Sequence, residues 1–121
     1  MKLRIHGNSV RIRLKQSEMT RFDADGRVAD RVELGLGAAL EYVVETSNAI
    51  EALTLSFSGG TLRVTLPTRI ARQWVETDEV GVEADIPTDS GHLRLLLEKD
   101  FKCLHRESSE DVSDYFPHPG A

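Results

Sequence analysis

Apolar and polar residues alternate over Leu3-Arg4-Ile5-His6 and again over Val10-Arg11-Ile12-Arg13-Leu14, on either side of Gly7-Asn8. Successive side chains of a strand point to opposite faces, so this pattern predicts a β-hairpin with one apolar face and a two-residue turn. Leu55-Ser56-Phe57-Ser58 and Leu62-Arg63-Val64-Thr65-Leu66 repeat it about Gly59-Gly60. Leu3 and Leu55, Ile5 and Phe57, Val10 and Leu62, Ile12 and Val64, and Leu14 and Leu66 are each separated by 52 positions, and Gly7 falls on Gly59 at the same offset. Alternation arising by chance would not also reproduce the turn, so the chain reads as a duplication.

The correspondence continues beyond the hairpins. Lys15 to Phe22 reads as a short helix with Ser17 as N-cap and Met19 and Phe22 on one face; Thr68 to Val75 reads as another, with Thr68 as N-cap and Ile70, Ala71 and Trp74 on one face. Phe22 and Trp74 again differ by 52. Helices this short are not stable alone and must dock through those residues, which makes Phe22 and Trp74 core positions. Two alternating strands follow in each half: Val28, Val32 and Leu34, then Leu40, Tyr42 and Val44 after Gly35-Leu36-Gly37; Val80, Val82, Ala84 and Ile86, then Leu93, Leu95 and Leu97 after Thr88-Asp89-Ser90-Gly91. The final strands are one residue out of step, so one connection is longer.

The expected fold is α+β and β-rich: two pseudo-symmetric repeats of β-hairpin, short helix and β-hairpin, intertwined as one mostly antiparallel sandwich or barrel. Each repeat leaves an apolar hairpin face uncovered, and a second repeat can cover it. A single domain over residues 1–101 results, with repeats at about 1–48 and 53–101, followed by a polar acidic tail over 102–121.

His6-Gly7-Asn8-Ser9-Val10-Arg11-Ile12-Arg13-Leu14 resembles the opening of the AbrB/MazE-type swapped-hairpin proteins, and Val64-Thr65-Leu66-Pro67 with Asp78-Glu79-Val80-Gly81-Val82-Glu83 is similar to it further along. That resemblance implies paired hairpins and, in the usual case, homodimers that bind DNA, some as antitoxins. This sequence holds both units in one chain, has Lys15 where the second unit has Pro67, and is acidic overall. As a whole, through Leu97-Glu98-Lys99-Asp100-Phe101 and Asp114-Tyr115-Phe116-Pro117, the chain also resembles a family of small bacterial proteins without an assigned function.

Length and composition narrow the class. The chain has 121 residues, enough for one core, with 40% apolar and 29% charged side chains, an ordinary globular balance. No stretch approaches the ~20 apolar residues of a membrane helix, and the start alternates where a signal peptide would run apolar. Cys103 is the single cysteine, so no internal disulfide can form. These features predict a cytoplasmic protein with no membrane association and no cofactor.

Charge changes the picture more than composition does. Residues 1–27 hold seven basic and three acidic side chains, a net +4, inside a chain of net −5. Across a Gly7-Asn8 turn, Arg4 pairs with Arg11 and Lys2 with Arg13, so like charges oppose each other twice on one face, an arrangement that destabilises a ladder. Ser56 with Arg63 and Thr54 with Thr65 carry no such crowding, so the repeat does not demand it. Lys2, Arg4, Arg11 and Arg13 are therefore the candidate contact residues for an anion, which can be an acidic partner protein or nucleic acid. The alternative is neutralisation from within, by Glu83 and Asp85 or by Glu107, Glu110, Asp111 and Asp114 of the tail.

No catalytic residues are nominated. Cys103, His105, Asp114 and His118 are weak candidates for a zinc site, by ligand type and not by any recognised spacing. Cys103 and His105 lack a third, orienting group, and phosphate-cradling and nucleophile-elbow motifs are missing. The sequence thus favours a non-enzymatic binding or interaction module, with a DNA-binding regulator or antitoxin-like protein second and a small metal-dependent enzyme using the tail third. Oligomeric state stays open, because duplication either replaces a homodimer or builds a larger assembly.

Overall fold

In the computed structural model, which describes residues 1–101, 113–117 and 119, the elements follow in the order β1 (Lys2–His6), β2 (Ser9–Leu14), α1 (Gln16–Asp25), β3 (Arg27–Gly35), β4 (Ala38–Ser47), β5 (Thr54–Ser58), β6 (Thr61–Pro67), α2 (Thr68–Glu76), β7 (Gly81–Thr88) and β8 (Gly91–Lys99). The alternating patterns set the hairpin registers: Leu3 faces Ile12 and Arg4 faces Arg11 in the first, while Leu55 faces Val64 and Ser56 faces Arg63 in the second. The turns differ in detail. Gly59 and Gly60 both adopt positive φ, whereas in the first turn Gly7 alone does. Gly60 is also confined by packing, since a Cβ there would lie 2.9 Å from the Ala39 carbonyl oxygen. Asn8 instead uses its side chain, donating from Nδ2 to the His92 carbonyl (2.7 Å) and so tying the first hairpin to the start of β8.

The hairpins are exchanged between the halves. One sheet has the order β1-β2-β8-β7 and the other β3-β4-β6-β5. Antiparallel hairpins make the outer pairs, and a parallel pair joins them at the centre of each sheet: β2 with β8, where Ile12 faces Leu97, and β4 with β6, where Val44 faces Val64. The two four-stranded sheets form a sandwich-like pair and do not close into a barrel, so β1, β7, β3 and β5 remain edge strands.

Between the sheets, Val10, Ile12, Leu14, Leu95 and Leu97 meet Val44, Val64 and Leu66 in one buried cluster. The helices close it. Phe22 of α1 and Trp74 of α2 are fully buried and touch edge to face, with ring centroids 6.0 Å apart and planes at 61°. The buried aromatic residues of the two helices thus meet each other at the centre. Trp74 Nε1 donates to the Val80 carbonyl at 3.3 Å, so the indole's polar edge is also satisfied.

Several expectations need correction. Lys15, not Ser17, is the N-cap of α1, because Glu18 reaches back to accept the Lys15 backbone N–H at 2.8 Å. Thr68 is the first residue of α2 and Pro67 its cap, a proline having no N–H to leave unsatisfied. Ile5 and Phe57 lie on the apolar faces of their hairpins yet are 64% and 63% exposed, since both sit on edge strands close to the turn. Leu3 and Leu55, one turn of the pleat deeper, pack against the common core.

The β3–β4 hairpin is longer than its neighbour. Glu41 opposite Thr61 is the last pair between β4 and β6, so the hairpin beyond it overhangs the sheet. Its tip, Gly35-Leu36-Gly37, has positive φ throughout, and Leu36 at φ 54 is the one non-glycine residue in that region among those described. No helix among the described residues is long and apolar enough to cross a membrane.

Trp74→Ala empties the centre of the core and should lower unfolding stability by about 3–5 kcal/mol in denaturant titration. Leu36→Gly should act in the opposite sense, raising stability by up to about 1 kcal/mol as the left-handed turn loses its Cβ conflict.

Candidate binding face

Strand alternation puts Lys2, Arg4, Arg11 and Arg13 on the outer face of the β1-β2-β8-β7 sheet, opposite the side that carries Leu3, Val10, Ile12 and Leu14 into the core. Neighbouring β8 contributes Arg94, Leu96 and Glu98 to the same face, because Leu96 stands beside Arg11 and Glu98 beside Arg13. Glu98 takes both arginines, with Oε1 3.1 Å from Arg11 Nε and 3.5 Å from Arg13 Nε. That oxygen is buried, and neither contact has hydrogen-bond alignment, so the attraction is ionic and divided between two cations. Lys2 Nζ lies 3.1 Å from Asp100. Arg4 also has an interaction of its own.

Glu83 and Asp85, the counter-charges nominated from sequence, do not serve this hairpin. They lie on β7 and bind Arg94 instead, at 2.7 and 3.5 Å. Strands are spaced at about 4.8 Å, and β8 separates β7 from β2, so these short carboxylates reach only the adjacent strand. Glu98 and Asp100 were not identified from the sequence because their proximity depends on the parallel β2–β8 pairing, which hairpin patterns do not reveal. Of the tail residues, Glu107, Glu110 and Asp111 lie outside the described residues, and Asp114 is exposed.

The second sheet provides an internal reference. Arg63 and Glu45 occupy the places of Arg11 and Glu98, and they pair at 2.6 Å, with Arg27 a further 4.0 Å from Glu45. An arginine–glutamate pair across the central parallel strands is therefore common to both sheets. Thr54, Ser56 and Thr65 stand where the first sheet has Lys2, Arg4 and Arg13. The additional positive charge is specific to the first hairpin.

A second polar cluster lies beneath α1 and was not identified from sequence. The Met1 amino group contacts Glu18 and lies 3.2 Å from Asp30 Oδ2; the Tyr42 hydroxyl donates to the Met1 carbonyl at 2.9 Å, with Asp30 Oδ2 3.4 Å away. Burial opposes ionisation of Glu18, but the amino group and the Lys15 N–H outweigh it and hold the carboxyl below its ordinary range. Asp30 is also lowered, chiefly by the Arg31 N–H, while burial and the nearby Asp30 charge raise Tyr42. The signal available was Glu18 itself, an acidic residue three positions after the cap.

Among the described residues, no group of three histidine, cysteine, aspartate or glutamate side chains is placed to hold a metal ion. Cys103, His105 and His118 lie outside the described residues, and Asp114 alone of that set is seen. A surface cleft is lined by Ser47, Asn48, Glu51, Thr68 and Arg69, none of them a residue of the basic hairpin.

These features define a small two-sheet β-rich domain with exchanged hairpins and one charged outer face. Residues 1–120 match the model of a family of unknown function, DUF7009, and the chain belongs to that family. No curated protein and no solved structure matches it.

Because the Glu18 carboxyl is held below its ordinary value of about 4.5, its stabilising effect is complete above that pH and disappears as pH falls through the lowered value. Glu18→Gln should lower stability at neutral pH and shrink the loss of stability on acidification, measured by urea unfolding across the acid range.

Proposed function

We propose that this chain is a non-enzymatic interaction module whose basic hairpin face, Lys2, Arg4, Arg11 and Arg13, takes an acidic segment of a partner protein. The observation that carries the reading is the contrast between equivalent places in the two sheets: four cations on the first hairpin against Arg63 alone on the second. Glu98 is divided between Arg11 and Arg13, and both guanidiniums remain partly exposed, so an incoming carboxylate meets positive charge that its neighbours only partly offset. Guanidinium groups hold carboxylates through paired N–H donors, which suits such a segment. Glu83 and Asp85 on the far strand share the single cation Arg94, which leaves net negative charge there and favours a narrow acidic peptide over a duplex that extends across the whole sheet.

The hairpin exchange supports a second reading, because the AbrB/MazE-type resemblance joins that arrangement to DNA binding. The two readings separate in one titration. A labelled peptide rich in aspartate and glutamate should bind the full chain at low salt, and replacing Lys2, Arg4 and Arg13 by Thr, Ser and Thr, the residues of the second hairpin, should weaken binding by roughly tenfold or more. Arg63→Ala should leave it unchanged. Failure of the peptide to bind, or equal binding by the triple variant, overturns the proposal; duplex DNA binding that falls steeply with salt would establish the regulator instead.

A further inference from the structure

The overhanging part of β3 carries features that neither the core nor the basic face uses. Val32 and Leu34 are 44% and 63% exposed there, Leu36 at the tip is fully exposed, and Arg31 and Glu33 flank Val32 on the opposite face. In the other sheet the corresponding segment of β7 is different. Pro87 stands in the place of Glu33, Asp85 in that of Arg31 and Thr88 in that of Leu34, as the pairings of Glu33 with Ala39 and of Pro87 with His92 show. A proline without an N–H and two acidic residues on one edge are devices that discourage strand-to-strand association. The β7 edge has both; in the corresponding places β3 has Glu33, which keeps its N–H, and Arg31, of opposite charge, with a register shift only beyond Glu33, between it and Gly35.

The hydrogen-bond parity of this edge is determined. Thr46 N–H donates to the Gly26 carbonyl, so in the β3–β4 ladder residues 28, 30 and 32 face β4, and residues 29, 31 and 33 turn their N–H and C=O groups to the open side. Arg31 agrees: its backbone N–H is bonded to Asp30 Oδ1 at 2.9 Å and not to β4. A second β3 strand approaching antiparallel must match odd residues with odd. A pairing centred on Arg31 or Glu33 sets identical charges against each other, and one centred on Asp30 does the same with two carboxylates. Centred on Val32, it sets Arg31 opposite the partner's Glu33 and Glu33 opposite the partner's Arg31, with valine on valine at the axis.

We propose that two copies of this chain associate through the β3 edge, antiparallel about Val32, to make one continuous sheet across the pair. The strand is self-complementary in this register, as a twofold interface requires. Association moves the Arg31 N–H from Asp30 Oδ1 to the carbonyl of the partner's Glu33, and Asp30 keeps the Met1 amino group and Tyr42 on its other oxygen. The basic hairpin lies on the other sheet, so this association is independent of the acidic-partner reading.

Sedimentation velocity of the full chain over a concentration series tests it. A monomer–dimer equilibrium is expected, weakened about tenfold or more by Arg31→Glu or by Glu33→Arg, each of which sets like charges opposite twice. The double variant R31E/E33R should recover the wild-type dimer, and an equimolar mixture of the two single variants should form a heterodimer. Both positions are exposed, so circular dichroism and thermal unfolding of each variant should match the parent. A chain that stays monomeric at every concentration, a dimer indifferent to both single changes, or a double variant as weak as the singles would overturn the proposal.

Discussion

The parallel pairing of β2 with β8, and of β4 with β6, is the constraint on which the structure depends. A two-stranded hairpin is marginal in water, and each half of this chain makes nothing larger by itself in either sheet. Laying a hairpin from one half beside a hairpin from the other produces two sheets of four strands, each with an apolar face. Phe22 and Trp74 then meet at the centre because they occupy matching places in halves that share one interior. Each sheet therefore needs a hairpin from both halves of the chain.

Much of this arrangement is legible in the residues. Period-two alternation about Gly7-Asn8 and Gly59-Gly60 identifies the hairpins and their registers, down to Arg4 opposite Arg11. Ala71, Trp74, Met19 and Phe22 are buried as their spacing implies. The failures share a cause, since each depends on contacts distant in sequence. The counter-charges of the basic face, Glu98 and Asp100, become neighbours only when β8 lies parallel to β2. Glu18 looks like an ordinary surface carboxylate until Lys15 and Met1 close around it. Exposure of Ile5 and Phe57 follows from edge position, which alternation alone does not reveal.

The like arrangement of the two sheets also makes the molecule its own control. Wherever the halves agree, as in the Arg11–Glu98 and Arg63–Glu45 pairs, the fold itself accounts for the residues. Wherever they differ, the fold tolerates the alternative, and another explanation is needed. Lys2, Arg4 and Arg13 against Thr54, Ser56 and Thr65 are one such difference, and Glu33 against Pro87 is another. The distinctive chemistry of the protein is concentrated in these unmatched positions.

The sheets also differ in how their strands are distributed along the chain. All four strands of the β3-β4-β6-β5 sheet lie within residues 27–67, whereas the other joins residues 2–14 to residues 81–99. On a ribosome the β3-β4-β6-β5 sheet has all its strands well before β8 appears. The leading hairpin must wait for its parallel neighbour through roughly 4–17 s of synthesis at about 5–20 residues per second. Throughout that interval the apolar face of β2 can rest on the finished sheet, but its inner edge has no strand beside it, and those N–H and C=O groups stay open to pairing with another chain until β8 emerges.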